Sequence, residues 1–307
     1  MTLTQLAYFV RIAEAQSLSK AAAIVRVAQP ALSRQLRNLE AELGTPLLVR
    51  HPWGVTLTAA GDVLLARARR TLAEAEAARD AVQALAGQVS GTVTVGVPTS
   101  LATSFLPALA AAVHLRYPKL RARFIDGFSA LLHARTLSGE LDLAILYQDR
   151  AMGPLRTSLL LTERLVLVGP PGSKVPPGPV GEMLDGRRLI IAARPNRLRL
   201  IVDQALLGSA APDILEVDSL PATLAMVERG AGFTILPYSA VAAEAQRGAV
   251  TVSRLDEPTL SRTLVLARAM EREPTPAIAA VESEVRDLVE QMSESLAWQA
   301  LAIAATR

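Results

Sequence analysis

Apolar side chains recur at helical spacing from the start of the chain. Leu6, Phe9, Val10 and Ala13 make one stripe over residues 4–14. Ser17 is placed to cap a second short helix that runs to Val25, and the small Ala21, Ala22 and Ala23 let another helix cross it closely. After the connection Arg26-Val27-Ala28, the helical period returns from Gln29 to Leu43. There Ala31, Leu32, Gln35, Leu36 and Leu39 sit near one face, and Gly44 provides the stop. Pro30 falls in the first turn, where its missing N–H costs nothing. Three short helices with a tight turn between the last two predict a helix-turn-helix.

Leu47–Arg50 and Val55–Leu57, separated by a turn with Pro52 and Gly54, predict two short strands forming a wing. From Thr58 to about Ala86 the pattern is continuous helix, spanning about 40 Å at about 1.5 Å per residue. Leu65, Ala68, Leu72, Ala75, Val82 and Ala86 follow an alternating three-four spacing with Arg79 as the polar exception, the seam of a two-stranded coiled coil. The same stripe would serve packing on the helix's own domain.

Gly87 and Gly91 end that helix, and strands then alternate with helices. Strands are expected at Thr92–Val97, Arg121–Asp126, Leu141–Tyr147, Arg164–Gly169, Arg188–Ala193, Ile214–Val217, Phe233–Leu236 and Arg262–Arg268. Helices are expected at Phe105–Arg116, at Ala130–Leu137, and from Ala277 to about Ala304 with a break near Ser293. Five prolines mark Pro170–Pro179 as a surface loop. Such alternation implies parallel sheets covered on both faces by helices. The expected division is a winged helix-turn-helix over residues 1–58, a linker and dimerisation helix over 59–88, and an α/β unit over 89–307. That unit exceeds one small sheet, so two subdomains are expected, about 91–163 with 268–307, and about 164–267.

Half of the 307 residues are apolar and a fifth are charged, as in a soluble globular protein. No cysteine is present, which excludes disulfides, thiolate metal sites and cysteine nucleophiles. His51, His114 and His133 are far apart, so neither a metal nor a cofactor is expected. Arg11 and Glu14 interrupt the first apolar positions, and prolines break the longest uncharged stretch, Thr92 to Leu115. Neither a signal peptide nor a membrane span is expected, and the cytoplasm is the expected location. The net charge of +3 lies within residues 1–58, where Arg11, Lys20, Arg26, Arg34, Arg37 and Arg50 face Glu14, Glu40 and Glu42. A basic terminal module on a neutral body suits a nucleic-acid reader. Arginine abundance alone says little, because only three of the 32 basic residues are lysine.

On the third helix, Gln29, Ser33, Arg34 and Arg37 occupy the side that the core does not need. A guanidinium matches guanine O6 and N7 in a bidentate pair, which makes Arg34 the first candidate for base readout. Gln29 suits adenine or a phosphate, Ser33 a base edge or phosphate, and Pro30 a thymine methyl. Arg37 and Arg50 suit phosphate. Any one of these residues alone would also fit an ordinary solvated surface.

The first 61 residues resemble the winged helix-turn-helix of LysR-type transcriptional regulators. The resemblance rests on Ala21-Ala22, on the run from Gln29 to Leu36, on Leu39-Glu40 and Leu43-Gly44, and on Pro46–Arg50 and Leu57–Gly61. Asp218-Ser219, Gly230-Ala231-Gly232 and Leu236-Pro237 are similar to that family's effector-domain signatures. Gly127-Phe128-Ser129 and Arg164–Gly172 are most similar to the branch that includes nitrogen-assimilation regulators. Departures are Leu48 where the family usually has Phe, Val25 for Leu, Ile24 at a polar position, Trp53 at a usually basic wing tip, and Ala28 without a capping hydroxyl.

The resemblance implies a periplasmic-binding-protein-like effector domain of two α/β subdomains and homodimers or homotetramers. It also implies a double-stranded DNA operator, contact with RNA polymerase, and a small metabolite, often a carboxylate, in the cleft between subdomains. In such domains ligands lie over strand C-termini and helix N-termini. That singles out Thr99, Ser100, Phe128, Ser129, Tyr147, Arg194, Asn196 and Thr234, although the hydroxyls among them would equally serve as helix caps. No nucleophile elbow, Walker loop, Gly-x-Gly-x-x-Gly or zinc motif occurs, so an enzyme is not expected. An enzyme or ligand-binding α/β protein with an appended DNA-binding module is the alternative. A plain solute-binding protein would leave residues 1–58 unexplained.

Overall fold

A computed structural model describes residues 1–84, 89–149, 152–209, 212–257, 260–270 and 273–294. The amino-terminal unit comprises α1 (Leu3–Ala15), α2 (Leu18–Val25), α3 (Gln29–Leu43), β1 (Leu48–His51) and β2 (Gly54–Leu57). Thr2 and Gln5 form a reciprocal capping box at the start of α1, and Ser17 caps α2. The α2–α3 turn is made by Arg26 in the left-handed conformation, its N–H bonded to Ala22 and Ala23 carbonyls. Phe9, Ile12, Ala21, Leu32 and Leu39 form the buried centre.

The long helix α4 (Ala59–Ala84) begins at Thr58, whose hydroxyl donates to the Pro46 carbonyl and accepts from the Gly61 N–H. Gly61 is required there. A Cβ on it would stand 2.1 Å from the Leu47 carbonyl oxygen. Ala68 is buried, and Leu64, Leu65 and Leu72 pack beside it on the core of the amino-terminal unit. The first half of the expected coiled-coil seam is therefore taken by this chain's own domain, a use that the spacing permits equally. Val82 remains exposed, whereas Ala86 and Gly87 lie outside the described residues.

The remaining elements are β3 (Gly91–Pro98), α5 (Thr99–Ala102), α6 (Leu106–Arg116), β4 (Leu120–Gly127), α7 (Ser129–Leu137), β5 (Leu143–Tyr147) and β6 (Leu155–Gly169). They continue with α8 (Val180–Met183), β7 (Arg188–Ile191), α9 (Arg197–Ala205), β8 (Asp213–Glu216), α10 (Leu220–Glu228) and β9 (Thr234–Pro237). Then come a 3-10 turn Tyr238–Ala240, α11 (Ala242–Gln246), β10 (Thr251–Arg254), β11 (Ser261–Ala269) and α12 (Pro276–Glu294). Helix α12 runs to Glu294, the last described residue, so a break just past Ser293 and the rest of the expected helix to Ala304 lie outside the described residues.

The expectation of purely parallel sheets is corrected. β3 is parallel to β4 and β5, and β7 to β8, but β6, β9, β10 and β11 pair antiparallel. The cause is the path of β6. Its first ten residues pair with β11, and its last five pair with β9 and β10, so one strand crosses between two sheets. β11 returns into the first sheet beside β5. The second crossing thus precedes Ser261. This corrects the boundary expected near residue 268, because β11 pairs along its length with first-sheet strands.

Alternate residues of each strand serve opposite faces. Leu143 and Ile145 meet α6 and α12 residues such as Leu109, Val281 and Val285, while Ala144 and Leu146 meet Leu132 of α7. Across the crossing, Leu165 and Leu167 pack with Val180 and Val202, and Val166 and Val168 with Val227 and Val241. Two α/β subdomains result, with a cleft between them.

Candidate nucleic-acid interface and ligand cleft

Helix α3 buries Leu32, Leu36 and Leu39 and leaves Gln29, Pro30, Arg34 and Arg37 exposed. Its start lacks a side-chain cap, as Ala28 foreshadows. Among the described residues the side chains of Gln29 and Arg34 make no hydrogen bond or ion pair, so their polar groups are open to a partner. Ser33 differs from its expected place. It is only 8% exposed, and its hydroxyl accepts from Arg37 Nη1 at 2.9 Å and Arg50 Nη2 at 3.4 Å. Ser33 lies one residue from the exposed arc, and the wing closes over it. Arg37 and Arg50 therefore converge from α3 and β1 on one hydroxyl, leaving two cations side by side.

Glu40 fixes the wing against α3, because its carboxylate accepts from the Leu47 N–H at 2.9 Å and the Leu48 N–H at 3.4 Å. At the far end the Gln16 carbonyl accepts from the Val55 N–H. Trp53 at the wing tip is 82% exposed and stacks on His51, ring centroids 5.2 Å apart and planes 4° from parallel. The His51 ring nitrogen is in turn hydrogen-bonded to Thr56 Oγ1 at 2.9 Å.

All eight cleft residues picked from strand ends, namely Thr99, Ser100, Phe128, Ser129, Tyr147, Arg194, Asn196 and Thr234, line one cavity of about 600 Å³ between the subdomains. Asn196 caps α9 by accepting from the Leu198 N–H, and Ser219 caps α10. Helix α7 has no side-chain cap, since Phe128 stands at that position, and Ser129 Oγ instead accepts from the Tyr147 N–H.

The cleft floor holds a pair that strand-end reasoning misses. Arg262 and Glu163 face each other across β11 and β6 at 2.6 Å, both side chains nearly removed from solvent. Glu163 also accepts from Ser239 Oγ at 2.8 Å, and Arg262 donates to Ser100 Oγ at 3.0 Å. The Arg262 guanidinium lies over the Tyr147 ring, 3.9 Å from its centroid, and the Tyr147 and Ser100 hydroxyls share a short hydrogen bond. Burial pushes the Tyr147 hydroxyl up to about 12 against the opposing charge of Arg262, so this phenol stays protonated at neutral pH.

At the mouth, Arg197 of α9 meets Asp149, just past β5, at 3.4 Å, an ion pair from one subdomain to the other. Arg194 holds Asp203 at 2.7 Å, a carboxylate shared with Arg199. Asp218 accepts from the Ala193 N–H at 3.0 Å. His133 and Met152 also line the cavity, joined by a hydrogen bond from ring nitrogen to carbonyl. Among the described residues no helix is long and apolar enough to cross a membrane.

Comparison with known proteins agrees with this arrangement. Residues 3–62 match the model of the bacterial regulatory helix-turn-helix protein, lysR family, and residues 86–290 match the LysR substrate binding domain. The nitrogen assimilation regulatory protein nac of Escherichia coli (strain K12) is 32% identical over 308 residues, covering 97% of this chain and 99% of that protein. A cysteine-to-aspartate variant of full-length OxyR from Pseudomonas aeruginosa superimposes with a TM-score of 0.77 at 26% identity, covering 100% of this chain and 99% of that one. Full-length CbnR complexed with its target DNA gives a TM-score of 0.63 at 25% identity, covering 94% of this chain and 100% of that one. A wing and helix with an open basic face, joined by one long helix to a two-subdomain α/β unit with a cleft, thus meet two family matches that together cover most of the chain, and the chain belongs to the LysR family of DNA-binding transcriptional regulators with an effector-binding domain.

Proposed function

We propose that Gln29, Pro30 and Arg34 read base edges of a double-stranded operator in the major groove. Arg37 and Arg50, gathered on Ser33, hold the phosphates beside it, and Ser33 acts through them. The observation that carries this reading is the open face of α3, where Arg34 is exposed and unpartnered next to the two converging arginines. Two such modules are brought together in a homodimer, and dimers in a homotetramer, on half-sites about 34 Å apart or a multiple.

The cleft takes the effector. Its binding changes how effector domains pack and so the separation of the DNA-binding pairs, the bend of the DNA and contact with RNA polymerase. The shift requires a ligand with different affinities for two assembled states. The protein works without catalysis, in the cytoplasm where its DNA lies. Footprinting of the full chain on a selected operator, with and without a molecule that raises its melting temperature, tests the switch. The expected result is a changed footprint length or a new hypersensitive site at the centre. An unchanged footprint at saturating ligand would refute it.

A further inference from the structure

The charges around the cleft specify more than its location. Three arginines reach it, and each already has a carboxylate: Arg262 with Glu163, Arg194 with Asp203, and Arg197 with Asp149. Asp218 on the rim is a fourth carboxylate, bonded to a backbone N–H rather than to a cation. Asp203 is shared with Arg199 as well, so among the described residues no arginine at the cleft is without a carboxylate partner. On the floor, Tyr147, Ser100, Arg262, Glu163 and Ser239 are bonded to one another in sequence. Among the described residues the buried side-chain polar atoms without a partner are Arg69 Nε, Ser104 Oγ and Glu257 Oε2, and none of these residues lines the cavity.

An anionic ligand that reached Arg262 would compete with Glu163 and strand that carboxylate where water does not reach it, a heavy cost for a buried charge. The rest of the wall is largely carbon, from Phe128, Leu146, Met152, Ile191, Leu198 and Leu236. Hydrogen-bond donors remain in the first turn of α7, which has no side-chain cap, whereas α9 and α10 are closed by Asn196 and Ser219.

We infer that the cleft selects a compact molecule with an apolar body and a neutral hydrogen-bond acceptor, and discriminates against organic anions. The inference rests on the reading of this cleft as the effector site. It departs from the carboxylate that family resemblance implies, and the cause lies in residues that the family motifs do not include, Glu163, Asp149 and Asp203.

The test uses the full chain and the neutral fluorescent probe N-phenyl-1-naphthylamine, displaced by matched pairs, benzamide against benzoate and phenylacetamide against phenylacetate, and by succinate and citrate. The probe is expected to bind saturably. Each amide should displace it at about tenfold lower concentration than its carboxylate, and succinate and citrate should not compete. Asp218→Asn, at the exposed rim, and Glu163→Gln, at the floor, should each narrow the preference for the amide. The inference is overturned if a carboxylate competes as well as its amide, if succinate or citrate displaces the probe, or if the probe shows no saturable binding. Ala130→Trp, which fills the cleft from the first turn of α7, separates the two levels. Probe binding lost in that variant together with a preference for anions sinks the ligand class alone. Probe binding undiminished by the tryptophan sinks the cleft reading as well.

Discussion

Glu163 and Arg262 are cross-strand partners at the point where β6 leaves one sheet for the other, one residue before the crossing at Arg164. Their bond ties the two connecting strands together at the hinge of the effector domain, with Ser239 from one side and Ser100 from the other completing the set. Removing one member of such a pair leaves an uncompensated buried charge. Glu163→Gln is expected to destabilise the effector domain by about 3–5 kcal/mol, measured by urea unfolding. A loss below about 1 kcal/mol would mean that the pair is solvated and has no hinge role.

The wing depends on one glycine. Gly54 has φ +151°, and a Cβ there would sit 2.4 Å from the Gln16 carbonyl oxygen, which accepts from the Val55 N–H and anchors the hairpin. Gly54→Ala is expected to cost about 1–3 kcal/mol through backbone strain and to loosen the wing. Hydrogen exchange at Val55 measures it, and unchanged protection there would contradict the anchoring role.

Much of the DNA-binding unit is legible in the sequence because its signals are local. The leucine spacing of α3, Pro30 in its first turn and Gly44 at its end fix the helix and its open face within sixteen residues. Ser33 is not legible, because its burial depends on Arg50, 17 residues on, folding over it. The stripe Leu65, Ala68, Leu72 cannot by its spacing reveal whether α1 or a second copy covers it. In the effector domain the residues that follow strands were readable from element order alone. Glu163 and Arg262 were not, since they lie within strands and meet across 99 residues of sequence. The first ten residues of β6 lack clean alternation, and β10 is a half-exposed edge strand, so neither carried a strand signal.

Arg69 of α4 joins the DNA-binding unit to the effector domain within one chain. Its guanidinium lies 3.3 Å from Glu14 of α1 and 3.8 Å from Glu140, which follows α7. Helix α7 lines the cleft at its other end through Ser129 and His133, so one short helix reaches from the cleft to this contact. Arg69→Ala is expected to cost only about 1 kcal/mol in stability, yet to split a single calorimetric transition into two. A single transition in the variant would show that the contact does not couple the units.

The Asp203 carboxyl gives the effector domain an acid sensitivity. Burial alone would raise it, but hydrogen bonds and charges from Arg199 and Arg194 together bring it below its ordinary value. The folded value therefore lies below the unfolded one, and the stabilisation is present at neutral pH and lost as pH falls below about 4. The melting-temperature difference between wild type and Asp203→Asn should shrink to nothing through that range. A difference that persists at pH 2 would contradict the assignment.

The central claim is that the open face of α3 reads sequence. Selection of bound duplexes from a randomised pool by the full chain, wild type and Arg34→Ala side by side at fixed salt, tests it most directly. The wild type should enrich a two-fold symmetric motif. Arg34→Ala should lose the preference at one position of each half-site, at a cost of about 1–3 kcal/mol, while keeping the rest of the motif. The same motif with undiminished preference at every position in both proteins, or no enrichment by the wild type, would contradict it.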